Sequence, residues 1–163
     1  AAEAGIPAAQ LKMGELYLAG RWVDAMDVPR ALEYFRSAAA SGLPAALFRL
    51  GVCYSEGTGV KKDLLRAADY YLQAANMGNS EAQFNLGWVY LNGAGIPKDV
   101  EAAFYWFKLA AEAGLMQAQR QLAFCYFSGT GIAKNEIEGL RWLKRAAAQG
   151  DSEALALLKG GAE

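Results

Sequence analysis

The chain contains no histidine among its 163 residues. That absence removes the commonest general base and every His-dependent triad. No Ser-x-x-Lys motif offers a substitute nucleophile pair. Neither sign of charge is in excess: 16 Lys and Arg stand against 17 Asp and Glu, a net charge of −1. Nothing here marks a nucleic-acid or anionic-membrane ligand. No apolar run approaches the roughly 20 residues of a membrane span, so direct membrane insertion is not expected. Only two cysteines occur, Cys53 and Cys125. A metal site from two thiols without histidine is not expected, and no cofactor motif appears. What is abundant is apolar: the chain is 54% hydrophobic and 20% charged, a composition that folds.

The dominant feature is a period. Ala46, Ala82, Ala118 and Ala154 stand 36 residues apart; Tyr54, Tyr90 and Tyr126 keep the same step, as do Gly78, Gly114 and Gly150. Ala9, Tyr17 and Gly5 extend the series upstream, with a step of 37 into the first alanine and tyrosine. A repeat of this length signals stacked supersecondary units. Cys53 and Cys125 are 72 residues apart, two whole periods. Two layers of stacked helices would separate them by roughly 20 Å, far beyond disulfide reach. Leu16 and Val89 hold the same slot elsewhere, so both thiols read as small core residues.

One unit shows the plan. In Glu81–Met116, the run EAQFNLGWVYLNG places Ala82, Leu86, Val89 and Tyr90 on one helical face. Gly87 inside that helix costs about 1 kcal/mol relative to Ala, so it needs a packing reason, and close approach of a second helix is the natural one. GAGIPKD then breaks the helix, Asp99 is an N-cap, and VEAAFYWFKLAAEAG forms a second helix ended by Gly114. The units on either side repeat these devices, with Asp63 and Asn135 as caps, and Asn135 with Glu138 suggests a capping box. The first unit replaces the G-x-G-V loop with GRWVDAMD; Asp27 still caps, and Pro29 suits the first turn. One such hairpin cannot bury its own apolar face, whereas a stack can. The loops GTGVKK, GAGIPK and GTGIAK lack the phosphate-loop form, follow no strand and recur with the period, so they read as inter-helix turns.

These residues resemble the SEL-one-like repeat (SLR) family of the tetratricopeptide superfamily. The matching positions are Ala82, Leu86, Gly87, Tyr90, Gly93, Gly95, Asp99, Ala103, Trp106, Ala110, Ala111 and Gly114. The departures are Met13 for Leu, Ala123 for Gly, Gly139 for Ala, and the first loop. The resemblance covers essentially the whole chain. It implies an all-α, right-handed α-solenoid of antiparallel helix pairs that serves as a non-enzymatic protein–protein interaction scaffold or adaptor. Members act in ER-associated degradation, and in bacteria in envelope, signalling, secretion or host-interaction roles. A disulfide-rich subgroup pairs two cysteines within each unit; this chain lacks that pairing. One solenoid domain is expected over 1–163, with full repeats at 8–44, 45–80, 81–116 and 117–152. Residues 1–7 read as the end of a preceding repeat and 153–163 as the start of another, which suggests a fragment of a longer protein. No signal peptide is visible at Ala1, and cytoplasmic and periplasmic placement both stay open.

In solenoids of this kind the first helix of each unit lines the concave face. The positions between the core residues are Leu11, Glu15 and Leu18; Phe48, Val52, Ser55 and Glu56; Phe84, Trp88, Leu91 and Asn92; and Arg120, Phe124, Phe127 and Ser128. Aromatic and Arg side chains anchor interfaces, and a contiguous apolar patch marks one. Phe48, Phe84, Trp88, Arg120, Phe124 and Phe127 are therefore the candidate partner-binding residues, for a peptide or helix of another protein. Burial of the same side chains against the second helices is the competing reading. Trp22, beside Arg21 and Asp24 in the atypical loop, is a second candidate contact, with packing over its own hairpin as the alternative. Other functions left open are a carbohydrate or envelope-assembly binding module, and a spacer that self-associates through its outer surfaces. A monomer is the favoured oligomeric state.

Overall fold

The computed structural model describes residues 6–20 and 26–160. Among these residues the chain is all-α, with nine helices: α1 Pro7–Leu18, α2 Val28–Ala40, α3 Pro44–Glu56, α4 Leu64–Asn76, α5 Ser80–Asn92, α6 Val100–Glu112, α7 Met116–Ser128, α8 Glu136–Ala148 and α9 Ser152–Gly160. Two compact units divide the chain. The first, Ala1–Ala82, holds α1 to α4. The second, Gln83–Glu163, holds most of α5 and all of α6 to α9.

The second helix of each pair starts where a side chain satisfies a free amide, whereas α1, α3 and α7 start after Ile6, Leu43 and Leu115 without a side-chain cap. Asp27 Oδ1 accepts from Arg30 N at 3.0 Å, Asp63 Oδ1 from Arg66 N at 3.0 Å, and Asn135 Oδ1 from Glu138 N at 3.1 Å. Asp99 Oδ1 accepts from both Glu101 N and Ala102 N. The capping box at Asn135 is only half formed. The Asn135 amide donates to Tyr126 O at 3.0 Å instead, and Glu138 turns to Arg141. Every cap behaves this way: Asp27, Asp63 and Asp99 donate to the carbonyls of Tyr17, Tyr54 and Tyr90. Each loop is thus closed across its base by the recurring tyrosine.

The second helices end as expected. Leu115 N donates to Ala110 O and Gly114 N to Ala111 O, a Schellman pattern in which Gly114 sits at φ +93°. In the G-x-G loops the first glycine, such as Gly129 (φ +80°), closes the first helix. The second is also at positive φ, +71° at Gly131, and has a further reason. A Cβ on Gly131 would stand 2.1 Å from Val100 O and 2.8 Å from Phe104 Cβ, so this loop lies directly on the second helix of the preceding repeat. That contact accounts for the glycine without any phosphate.

The core of each unit is built from alanines and rings. Ala46, Ala82, Ala118 and Ala154 are all fully buried. In unit 1, Tyr17, Ala31, Leu32, Phe35, Leu50 and Cys53 cluster. In unit 2, Ala110, Ala118, Leu122, Trp142, Leu143 and Ala146 form one cluster, and Ala103, Phe107 and Cys125 form another. Phe84 and Phe104 pack against both. The close approach inferred for Gly87 is present: a Cβ there would lie 2.5 Å from Phe107 Cε1. Gly51 meets Tyr71 and Gly14 meets Phe35 in the same way.

Candidate functional site

The candidate surface is the outward side of the first helices. In unit 2, α5 contributes Phe84 and Trp88, and α7 contributes Arg120, Phe124 and Phe127. Phe84 is half-buried and its ring lies 5.7 Å from Phe107. Trp88 stands edge-on to both rings, 6.3 Å from Phe84 and 5.6 Å from Phe107. Edge-to-face pairs of this kind add about 0.5–1.5 kcal/mol beyond burial. The indole is therefore fixed from below, yet 37% of its surface remains exposed. Phe124, one repeat later at the same position of α7, is also 37% exposed.

The remaining candidates are engaged within the chain. Arg120 Nε lies 3.5 Å from Asp151 Oδ2, and its Nη1 pairs with Glu153. Asp151 is only 5% exposed and its other oxygen caps α9 through Ala154 N at 2.8 Å. Arg120 thus ties α7 to the start of α9. Phe127 lies over α8, where a Cβ on Gly139 would stand 2.4 Å from its ring. In unit 1, Phe48 is half-buried and tilted 6.0 Å from Tyr71, whose hydroxyl donates to Ser55 Oγ. Glu15, at the repeat position of Trp88, accepts from Arg49 Nη2 and Nε at 2.6 and 3.1 Å. Trp22 lies outside the described residues.

Two features escape a reading of spacing alone. Gln119 is buried; its Nε2 donates to Ala111 O, and its Oε1 accepts from Gln149 Nε2 at 2.8 Å. The second is a polar cleft in unit 1. Tyr54, Val60, Lys61, Lys62, Asp63 and Arg66 line a cavity of about 600 Å³. Arg66 Nη1 donates to Tyr54 Oη at 3.1 Å, which lowers the phenol pKa below its ordinary value, with Arg36 assisting. The run Lys61-Lys62-Asp63 was the available signal.

Among the described residues no group of His, Cys, Asp and Glu could hold a metal. Burial raises the thiols of Cys53 and Cys125, the latter to about 11, so neither is a poised nucleophile. Both are free and buried. No helix among the described residues is long and apolar enough to cross a membrane.

Stacked helix pairs with glycine-seated rings and capped second helices define a helical-repeat solenoid. The Sel1 repeat model matches residues 7–43, 44–79, 80–115 and 117–151, and the chain belongs to the Sel1 repeat family. A protective antigen of uropathogenic Escherichia coli strains, described as displaying an SLR fold, matches with a TM-score of 0.92 at 36% identity. That match covers 96% of this chain and 33% of the antigen. A Sel1 repeat protein from Oxalobacter formigenes matches with a TM-score of 0.89 at 32% identity, over 95% of this chain and 63% of that one. The ERAD-associated E3 ubiquitin-protein ligase component HRD3B of Arabidopsis thaliana is 46% identical over 52 residues, 32% of this chain and 9% of that protein. The chain therefore spans less than two thirds of each of these relatives. Sel1 repeat proteins are typically non-catalytic scaffolds that bind other proteins.

Proposed function

We propose that this chain is a non-enzymatic interaction scaffold that binds a peptide or helix of a partner protein on the first-helix face of its second unit, with Trp88 and Phe124 as anchors. One observation carries the reading. Two large rings at the same repeat position are each 37% exposed, and one of them, Trp88, is braced by two further rings. A braced aromatic loses little side-chain freedom on binding, which favours affinity. Arg120 and Phe127 hold this face in shape rather than contact the partner, and Phe84 supports Trp88, while Phe48 packs on Tyr71 within the first unit.

The test is affinity capture from the source organism's extract, repeated with the purified partner. Wild type is compared with Trp88→Ala/Phe124→Ala, checked for unchanged helicity. Loss of two hot-spot rings should weaken binding by about 2 kcal/mol or more. Equal affinity of both proteins would refute the assignment. A second reading, self-association through outer surfaces, draws on Ile137, which is 80% exposed on α8. Sedimentation across protein concentration separates the two, because only self-association raises the apparent mass.

A further inference from the structure

The polar cleft in unit 1 gathers three cations, a combination that the third and fourth repeats lack. Lys61, Lys62 and Arg66 face it, against the single carboxylate of Asp63. One oxygen of that carboxylate is already committed to the Arg66 amide. Its other oxygen stays 4.0 Å from Arg66 Nε. The third repeat carries Pro97 and Ala102 where the second carries Lys61 and Arg66, and the fourth carries Ala133 and Glu138. Lys62 recurs as Lys98 and Lys134, and Arg66 has a counterpart in Arg30, which bonds Tyr17 in the same way. The later repeats build the same helices and loops without Lys61 or Arg66, so those two cations are not needed for the fold.

Arg66 is also held in place. Its guanidinium lies 5.0 Å from the Tyr54 ring centroid and bonds the Tyr54 hydroxyl. The Tyr54 ring in turn stacks on Tyr70 at 5.5 Å. A guanidinium resting on a rigid aromatic pair is oriented before a ligand arrives, and its planar fork matches a carboxylate. Arg36 of α2 adds positive charge at the same hydroxyl. Nucleic acid would need a longer track of cations, and the chain as a whole carries a net charge of −1.

We propose that this cleft is a recognition site for the acidic side chains of a partner peptide, with Arg66, Lys61 and Lys62 receiving carboxylates. It is separate from the Trp88 and Phe124 surface and does not rest on it. The test is a titration of the isotope-labelled chain with acetylated hexaglutamate amide, followed by amide shifts, with hexalysine and inorganic phosphate as comparison probes. Hexaglutamate should shift the amides of residues 60–66 and weaken as salt rises. Binding should be about tenfold weaker in Arg66→Ala and in Lys61→Glu, the loss expected for a charge-assisted contact. Both substitutions sit at exposed positions, and Lys61→Glu leaves the Tyr54–Arg66 bond intact. Lys98→Glu/Lys134→Glu should leave binding unchanged. An equal loss in that control, no shift at residues 60–66, or saturation by phosphate alone would each overturn the proposal.

Discussion

At the scale of single residues, the contact between a glycine of the first helix and a ring of the second is the most informative. Gly87→Ala drives a Cβ to 2.5 Å from Phe107, and Phe107 is fully buried. Overpacking of this kind costs about 1–3 kcal/mol, against the gain of about 1 kcal/mol that alanine brings to an exposed helix; urea denaturation should show net destabilisation. The fourth repeat solves the same space differently. Leu143 replaces the large ring, so Ala123 fits where the others have glycine, and Phe127 instead covers Gly139. Gly139→Ala alone should destabilise by a similar clash, and Phe127→Leu alone by a cavity. The double variant copies the Ala103 and Leu91 pair of the third repeat. It should recover part of the loss, giving a coupling of about 1 kcal/mol in a double-mutant cycle. Additive losses would refute the compensation. Cys125 gives a pH signature. Its folded thiol titrates at about 11 rather than 9 because it is buried. Stability from this group is therefore complete below pH 9 and declines as pH rises through 11. The full effect is of order 2 kcal/mol. Cys125→Val, the residue of the equivalent Val89 slot, should flatten urea stability across that window relative to wild type.

At the scale of helices, the chain announces most of its own boundaries. The caps at Asp27, Asp63, Asp99 and Asn135 and the stop at Gly114 follow from local chemistry, because a cap needs only a side-chain oxygen within three residues of a free amide. The fully buried alanines follow from the period. Side-chain engagement on the candidate surface does not. Arg120 reads as a free interface anchor until the chain brings Asp151, 31 residues away, against it, and no local pattern encodes that pairing. Phe127 could have been read from Gly139, since a small residue opposite a large one signals a swap. Exposure of Trp88 and Phe124 depends on how many neighbours each ring finds, which spacing alone leaves open. The Arg120 tie makes its own prediction. Arg120→Ala leaves the buried Asp151 carboxylate without its cation, a loss of about 1–3 kcal/mol after allowing for partial solvent screening. Because Asp151 caps α9, amide protection in residues 152–160 should fall before that of α7. Unchanged protection there would mean that the tie is structurally idle.

At the scale of the molecule, stability is distributed along the stack. In unit 1 the helix contacts run α1 to α2, α2 to α3 and α3 to α4; in unit 2 they include α6 to α7, α7 to α8 and α8 to α9. Nearest-neighbour contact dominates, so each repeat contributes its own term and one from each interface. A scaffold built this way can vary its outward residues freely, since Trp88, Phe124 and Arg66 sit at positions where other repeats place Val52, Ala102 or Glu138. The same logic predicts how damage spreads. Trp142 is buried against α7 in the core of unit 2, and Trp142→Ala should cost about 3–5 kcal/mol locally. In a globular domain that loss would lower protection uniformly. Here hydrogen exchange should speed most in α7, α8 and α9 and less in α6, because α6 meets α8 mainly through α7. A uniform loss across α6 to α9 would mean that unit 2 unfolds as one cooperative body. A graded loss would place the weakest point of the stack beside Phe124, where local opening competes with binding, so a partner held there should slow exchange in α7 in proportion to its occupancy.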